Sequence, residues 1–268
     1  MIAALQMYDW PEVQGRTDAF WMRVRKGLEA AGIDAPVALS RPDDLHSPWT
    51  RPDLVLGQTC GLPLVLGLTG DAVVLGRPSY GLPMATDGKY RSALVCRIDA
   101  PSDLAGFQGT RAAVNDFKSQ SGCNALASAV MPVIGDQPFF DQVIVSGSHR
   151  LSATAVVEGT ADIAAIDAVA WALFQELEPL RFAKLRVLAW TEETPVLPFI
   201  TSFGHGGQAA SILQALEAAA SKTDPAEIGL PRTILPADAA EYQPIHDMAL
   251  RTRGIRLAPE APPLWPQM

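Results

Sequence analysis

Apolar residues along this chain come in two spacings that alternate. Short unbroken runs of four to six, such as Asp53-Leu-Val-Leu-Gly57, Ala72-Val-Val-Leu75 and Ile163-Ala-Ala-Ile166, are the mark of strands buried on both faces. Between them, apolar positions recur every three or four residues, as in Phe20, Val24 and Leu28, or Ile212, Leu213 and Leu216, which is the period of a helix with one buried side. The pattern predicts strands at 2–7, 36–39, 53–57, 72–75, 90–96, 111–114, 163–166 and 185–189. It predicts helices at 17–31, 62–68, 121–132, 137–144, 150–158, 168–177, 208–221 and 239–252. Thr17 is placed to cap the first helix, Gly32 to stop it and Gly159 to end the helix at 150–158. Gly204-His-Gly-Gly207 reads as a turn. Strand, helix and strand in alternation is α/β grammar and implies largely parallel sheets. The grammar runs once from the N-terminus and again over about 100–190. Thr191-Glu-Glu-Thr-Pro195-Val-Leu-Pro198 is an extended link, because a residue before proline avoids the helical region.

Two α/β halves joined by two extended crossings predict two lobes. Residues 1–89 form the first part of lobe 1, residues 90–192 form lobe 2, and residues 193–268 return to lobe 1 and end in a C-terminal helical tail. In open α/β sheets, ligands sit beyond the carboxyl ends of the strands. Those ends carry Tyr8, Gln58-Thr59-Cys60, Ser119 and Ser121, Ser148-His149, and Asp167. The stretch from Val114 to Val130 is the most informative of them. It reads as a strand end, a small polar turn with Ser119, Ser121 and Gly122, and then a helix. A helix start of that kind offers unpaired N–H groups and the positive end of the helix dipole, and so suits an anion. The same serines are also ordinary caps.

Composition narrows the function. The chain has 268 residues, 48% of them hydrophobic and 19% charged, with a net charge of −8. A core of good size forms, and the acidic balance argues against nucleic acid as a partner. No run of about 18 apolar residues occurs, so no membrane insertion is expected. Three cysteines and four scattered histidines match no disulfide framework and no zinc spacing. No phosphate-binding loop or dinucleotide fingerprint is present, and no cofactor is expected. Met1-Ile-Ala-Ala-Leu-Gln-Met-Tyr8 has no basic region followed by a long apolar one. As it stands the sequence points to the cytoplasm, or to the periplasm if the chain is a processed form.

Several of these residues come in one order: Tyr8-Asp9, Gln58-Thr59-Cys60-Gly61, Ser119-x-Ser121-Gly122, Gly147-Ser-His149, Gly159-x-Ala161-Asp162-Ile163-Ala-Ala-Ile-Asp167 and Pro195-x-x-Pro198. In that order they resemble the phosphate/phosphonate-binding solute receptors of ABC transporters, the PhnD-like branch of the type 2 periplasmic-binding fold. The resemblance runs from the start to about residue 202. It implies two Rossmann-like α/β lobes that clamp a small anionic ligand, with an ABC permease as partner. It implies that Ser119, Ser121, Gly122 and His149 hold the oxyanion. Asp167 would face the organic part, and Tyr8, Gln58, Thr59 and Cys60 would come from the first lobe. These receptors carry a secretion or lipoprotein signal, which this sequence does not show.

Each residue also has a plainer reading. His149 can be a satisfied core histidine, Asp167 a helix cap and Asp162 a turn residue. Cys60 invites a nucleophile reading with His149 as its base, but a buried free cysteine usually acts as a small apolar side chain. Cys96 and Cys123 read as core, as do most of the aromatics, Trp10, Tyr80, Tyr90 and Trp190 among them. Two alternatives to a transport receptor stand on the same fold. One is a cytoplasmic enzyme with thiamin-precursor-type chemistry, and the other is a ligand sensor.

Overall fold

The computed structural model describes residues 1–67, 70, 72–135 and 137–267. The chain divides into two compact units. Unit 1 is Met1–Lys89 with Pro195–Gln243, and unit 2 is Tyr90–Thr194 with Pro244–Met268.

Unit 1 opens with strand β1 (Ile2–Ala4), a 3₁₀ turn (Pro11–Val13) and helix α1 (Gln14–Ala30). The helix starts three residues before the expected cap. Pro11 supplies the pre-set φ of a helix start, and Thr17 lies inside, its hydroxyl donating back to the Val13 carbonyl at 3.4 Å. Gly32, at φ 72°, ends it as expected. Pro36–Leu39 is not a strand. A backbone bond from Ser40 N–H to the Ala3 carbonyl, 2.7 Å, ties the segment to β1, while Pro36 has no N–H for a ladder and its carbonyl accepts from the Trp21 indole. β2 (Leu54–Gln58), α2 (Gly61–Val65) and β3 (Ala72–Ser79) follow. The helix expected at 62–68 thus ends at Val65, and residues 68 and 69 lie outside the described residues.

Unit 2 begins at the short β4 (Lys89–Tyr90) and continues with β5 (Ser92–Arg97), β6 (Arg111–Val114), a π-helical turn (Gln120–Asn124), α3 (Ala125–Val130) and β7 (Gln142–Val145). It goes on through α4 (His149–Glu158), β8 (Ile163–Asp167), α5 (Ala168–Leu177), α6 (Pro179–Phe182) and β9 (Leu185–Trp190) to β10 (Thr194–Pro195). The helix expected at 137–144 is a correction: the segment holds strand β7. Phe139 and Phe140, which precede it, are buried and meet edge-on at 4.9 Å. The β-branched run Val143-Ile-Val145 instead extends along β6. The chain returns to unit 1 for β11 (Phe199–Ser202), a 3₁₀ turn (Phe203–Gln208), α7 (Ala209–Ala220) and β12 (Thr233–Pro236). Helix α8 (Gln243–Thr252) then leads into unit 2.

Both five-stranded sheets are mixed rather than largely parallel, and β4 and β10 pair as a separate two-stranded sheet. In unit 1 the order is β1-β2-β11-β3-β12, with β1 and β2 parallel and the other pairs antiparallel. β11 enters from far along the chain and separates β2 from β3, so strand-helix-strand grammar does not reveal the neighbours. β12, which the sequence pattern missed, ends in Pro236 and lies at the sheet edge, where a missing N–H is tolerated. In unit 2 the order is β7-β6-β8-β5-β9, and only β7-β6 and β6-β8 are parallel. β2 and β8 are buried along their whole length, as their unbroken apolar runs predict.

The unit 1 core joins the sheet to α1 and α7 through Phe20, Trp21, Val24, Leu28, Ile212 and Leu216. Burying each such side chain is worth about 1.5–3 kcal/mol. Gly27 lets the two helices approach, since a Cβ there would lie 2.8 Å from that of Ala215. Asp162, expected as a turn residue, does more than turn the chain. Its carboxylate accepts from Arg97 Nη2, from Arg111 Nε and Nη2, and from the Arg111 backbone N–H, each at 3.0 Å. Burial raises its pKa, but the bonds from Arg111 and Arg97 outweigh that and leave it below the usual carboxylate value.

The C-terminal residues also differ from expectation. Residues 244–268 pack with unit 2 rather than lobe 1. Leu257 accepts from Phe140 N–H at 2.9 Å, and the Glu260 carboxylate accepts from Val143 N–H at 3.0 Å, so the tail runs beside edge strand β7.

Candidate functional site

In unit 2 three neighbouring parallel strands, β7, β6 and β8, end side by side, and each is followed by a helix start. After β6 the chain turns through Asn115–Lys118 into the π-helical turn. Ser119 is its N-cap, in extended conformation, and its Oγ accepts from Gly122 N–H at 3.0 Å. The Ser119 carbonyl accepts from both Cys123 N–H (3.2 Å) and Asn124 N–H (3.0 Å), and the five-residue reach is what makes the turn π-helical. Such turns insert an extra residue into a helix and recur at functional sites. Among the described residues, no protein acceptor pairs with the N–H of Ser121, the second residue of this turn.

After β7, Ser146 N–H donates to the Val114 carbonyl at 2.8 Å and Gly147 N–H to that of Asn115 at 3.0 Å. Gly147 has φ 91°, a conformation that favours glycine. These bonds bring the start of α4 to the β6 turn. Ser148 caps α4 by accepting from Leu151 N–H, and His149 is the first helical residue. Its Nε2 lies 2.8 Å from Ser121 Oγ. After β8, Asp167 caps α5: Oδ1 accepts from Val169 N–H (2.9 Å) and Ala170 N–H (2.8 Å), while Oδ2 lies 3.5 Å from the same His149 Nε2.

Ser121, His149 and Asp167 therefore converge, and Asp167 is a helix cap through Oδ1, as its plain reading has it, while Oδ2 is turned to His149. Burial holds the His149 pKa below its usual 6.5, against the opposing pull of Asp167 and of the Ala165 backbone. With the neutral ring protonated at Nε2, the hydrogen faces both Ser121 Oγ and the Asp167 carboxylate, and the Ser121 O–H is left to donate elsewhere.

A testable consequence concerns pH. The folded-state pKa of His149 lies below the unfolded value, so the unfolded chain binds this proton first as pH falls. The contribution is complete above about pH 6.5 and is lost as pH drops through the folded-state value, with a slope of up to about 1.4 kcal/mol per pH unit. Urea unfolding midpoints at pH 7.5 and pH 5.5 should differ more for the wild type than for His149→Gln. Equal differences would contradict a buried neutral imidazole.

The arrangement also bears on chemistry. A hydrolytic triad places the acid on the histidine nitrogen opposite the serine. Here Ser121 and Asp167 share one nitrogen, so His149 is not set up to take the serine proton and pass its charge to the carboxylate.

The first-lobe residues of the sequence reading belong to unit 1. Tyr8 is buried and meets Tyr80 edge-on, with ring centroids 5.4 Å apart. Gln58 Nε2 donates to Tyr80 Oη at 2.9 Å and to the Leu197 carbonyl at 3.3 Å. Thr59 has no exposed surface, and its N–H and hydroxyl bond the carbonyls of Pro198 and Cys60. Cys60 is buried at the start of α2, and Cys96 and Cys123 are wholly buried, as core readings predict. Tyr8, Leu5, Thr17, Phe20, Gln58 and Tyr80 help to line a cavity of about 20 Å³, the size of one water. Sequence reasoning missed Asn115, whose amide oxygen fills the space where Gly122 would carry a Cβ. The signal was an Asn directly after β6, but nothing local tied it to a glycine seven positions on.

The profile of a family described as the phosphonate-binding periplasmic substrate-binding protein of ABC transporters matches residues 59–242. The chain belongs to this family. Its members are substrate-binding components of transport systems, and this chain is a solute-binding protein. Solved structures agree in fold. PhnD1 of Prochlorococcus marinus, determined with methylphosphonate, aligns at TM-score 0.71 and 15% identity over 93% of this chain and 97% of its own. A binding-protein component of an ABC phosphonate transporter from Pseudomonas aeruginosa aligns at TM-score 0.72 and 13% identity over 94% and 85%. A Xanthomonas citri protein determined with chloride aligns at 0.67 and 17% over 92% and 98%. No curated protein matches by sequence. The family match extends forty residues past the point, about 202, where the sequence resemblance stopped. No helix among the described residues of this family member is long and apolar enough to cross a membrane.

Proposed function

We propose that this solute-binding protein takes up a phosphonate- or phosphate-type oxyanion at the Ser121–His149–Asp167 cluster and hands it, unchanged, to an ABC permease. The observation that carries the reading is the head of the π-helical turn. An N–H with no protein acceptor and a hydroxyl 2.8 Å from a buried imidazole, both on Ser121, stand at adjoining strand ends. Backbone and side-chain donors at a helix start are strong partners for an oxyanion. Ser119 Oγ already accepts from Gly122, so its contribution is its own O–H and the shape it gives the turn. Asp167 Oδ2 disfavours a fully ionised ligand and favours one that carries a proton or an amine to donate. Tyr8, Gln58, Thr59 and Cys60 of unit 1 are proposed as ligand-binding residues too, a reading that the family likeness supports.

Binding without turnover fits the sharing of His149 Nε2 by Ser121 and Asp167, which leaves no activated nucleophile in the cluster. Calorimetric titration tests the proposal with methylphosphonate, inorganic phosphate and sulfate, followed by analysis of recovered ligand. The expected result is saturable binding of methylphosphonate, weaker binding of sulfate and ligand recovered intact. No saturable heat with any oxyanion, or conversion of the ligand, would reject it.

A further inference from the structure

A chain of buried side-chain hydrogen bonds connects the C-terminal tail to the turn that carries Ser121. The Trp265 indole N–H donates to Thr252 Oγ1 at 2.9 Å. Thr252 Oγ1 lies 2.7 Å from Asn124 Oδ1, Asn124 Nδ2 donates to Gln120 Oε1 at 2.7 Å, and Gln120 Nε2 donates to Met248 Sδ at 3.2 Å. Gln120, Asn124 and Thr252 are at most 1% exposed, and Trp265 is 6% exposed. An indole can only donate, so Thr252 accepts from Trp265. The Thr252 hydroxyl has three acceptors within reach, the Met248 carbonyl at 3.1 Å, the Ala249 carbonyl at 3.2 Å and, nearest, Asn124 Oδ1 at 2.7 Å, to which it donates. That in turn sets which end of the Asn124 amide faces Gln120.

Gln120 and Asn124 are the first and last residues of the π-helical turn. Their side chains therefore brace it from behind while Ser119, Ser121 and Gly122 shape its front. Trp265 sits at φ 47°, an unfavourable region for a residue with a side chain, and is held there in a tail otherwise tied down by Leu264 N–H to the Ile255 carbonyl and Gly254 N–H to that of Leu264. Half-satisfied buried networks are costly and fully connected ones specify a single geometry.

We propose that Thr252, backed by Trp265, is a positioning residue for oxyanion binding: the C-terminal tail fixes the π-helical turn so that the Ser121 hydroxyl and N–H face the ligand. The proposal rests on the reading of that turn as the oxyanion site. Thr252→Val keeps the shape and removes the donor, Thr252→Ser keeps the donor, and Trp265→Phe keeps the ring and removes the indole N–H.

The test uses the full chain, first without ligand and then titrated with methylphosphonate. Ligand-free nuclear magnetic resonance should show the amide signals of Ser121 and Gly122 and the imidazole nitrogens of His149 shifted in Thr252→Val and restored in Thr252→Ser. Affinity, measured well below the unfolding midpoint, should fall about tenfold in Thr252→Val and return to within about twofold in Thr252→Ser. Trp265→Phe should move the same signals in the same direction, and it decides the matter if Thr252→Val does not fold. A lower unfolding temperature with unmoved Ser121, Gly122 and His149 signals would make Thr252 a scaffold residue only and overturn the proposal. If Ser121→Ala binds methylphosphonate as the wild type does, the oxyanion reading fails, whereas the ligand-free spectra still judge whether the tail sets the turn.

Discussion

Replacing Ser121 and His149 together by alanine is expected to weaken methylphosphonate binding by at least about a hundredfold. A hydrogen bond to a charged group is worth about 1.5–3 kcal/mol, and every 1.4 kcal/mol is a factor of ten in affinity. Losing the Ser121 hydroxyl removes one such bond, or about one to two factors of ten, and losing the imidazole leaves the Asp167 carboxylate facing the bound anion, which takes the loss to about two factors of ten or more. The single variants should not add up to the double. Ser121 Oγ and His149 Nε2 are 2.8 Å apart, so either change alone already disorders the other group, and the pair should show a clear coupling in a double-mutant cycle. His149→Ala has a second effect, because it leaves the Asp167 carboxylate, 3% exposed, without its neighbour at Oδ2. The α5 cap through Oδ1 is untouched, so the fold should persist. Calorimetry gives the affinities, and urea unfolding of the same samples shows whether the variants are folded. A double variant that binds within about threefold of the wild type would remove this cluster from the ligand site.

Much of unit 2 could be read before any coordinates. Helix α5 was placed to the residue, and β6 likewise, because each is bounded by a polar residue with a definite job: Asp167 caps one, and Asn115 begins the turn after the other. Ser121, His149 and Asp167 all stand at strand ends in the sequence pattern, and three neighbouring parallel strands put their side chains within reach of one another. What could not be read depends on partners far apart in the chain. Thr252 and Asn124 are 128 positions apart, so neither announces the other. β11 slips between β2 and β3 after more than a hundred intervening residues, and this turns a sheet expected to be parallel into a mixed one. The errors at 36–39 and 137–144 have a local cause. A proline disqualified one strand, and in the other the β-branched run Val143-Ile-Val145 pairs along β6 instead of coiling. Ser119 shows a different limit. Its capping role and its place beside the site were both in the sequence, but only geometry assigns its oxygen to Gly122 N–H.

Gly122→Ala should then do disproportionate damage for the addition of one methyl group. A Cβ at this position overlaps the Asn115 amide oxygen, lies 2.9 Å from Asn115 Cγ and comes within 3.2 Å of Ser119 Oγ. The glycine itself is buried, so the methyl has no open side to turn to. Overpacking of this sort costs about 1–3 kcal/mol. The strain is relieved by moving the Asn115 amide, the Ser119 hydroxyl or the turn itself. The turn carries the Ser121 N–H and hydroxyl, so a shift of a few tenths of an ångström misdirects both, and affinity for methylphosphonate should fall about thirtyfold or more. Asn115 is the nearer obstacle, and this gives the argument a second leg. Adding Asn115→Ala to Gly122→Ala should return most of the lost stability in urea unfolding, while affinity stays low because Ser119 Oγ is still crowded. If the double variant is as unstable as Gly122→Ala alone, the obstruction lies elsewhere. If it binds as tightly as the wild type, the contact between Ser119 and Gly122 does not shape the oxyanion site.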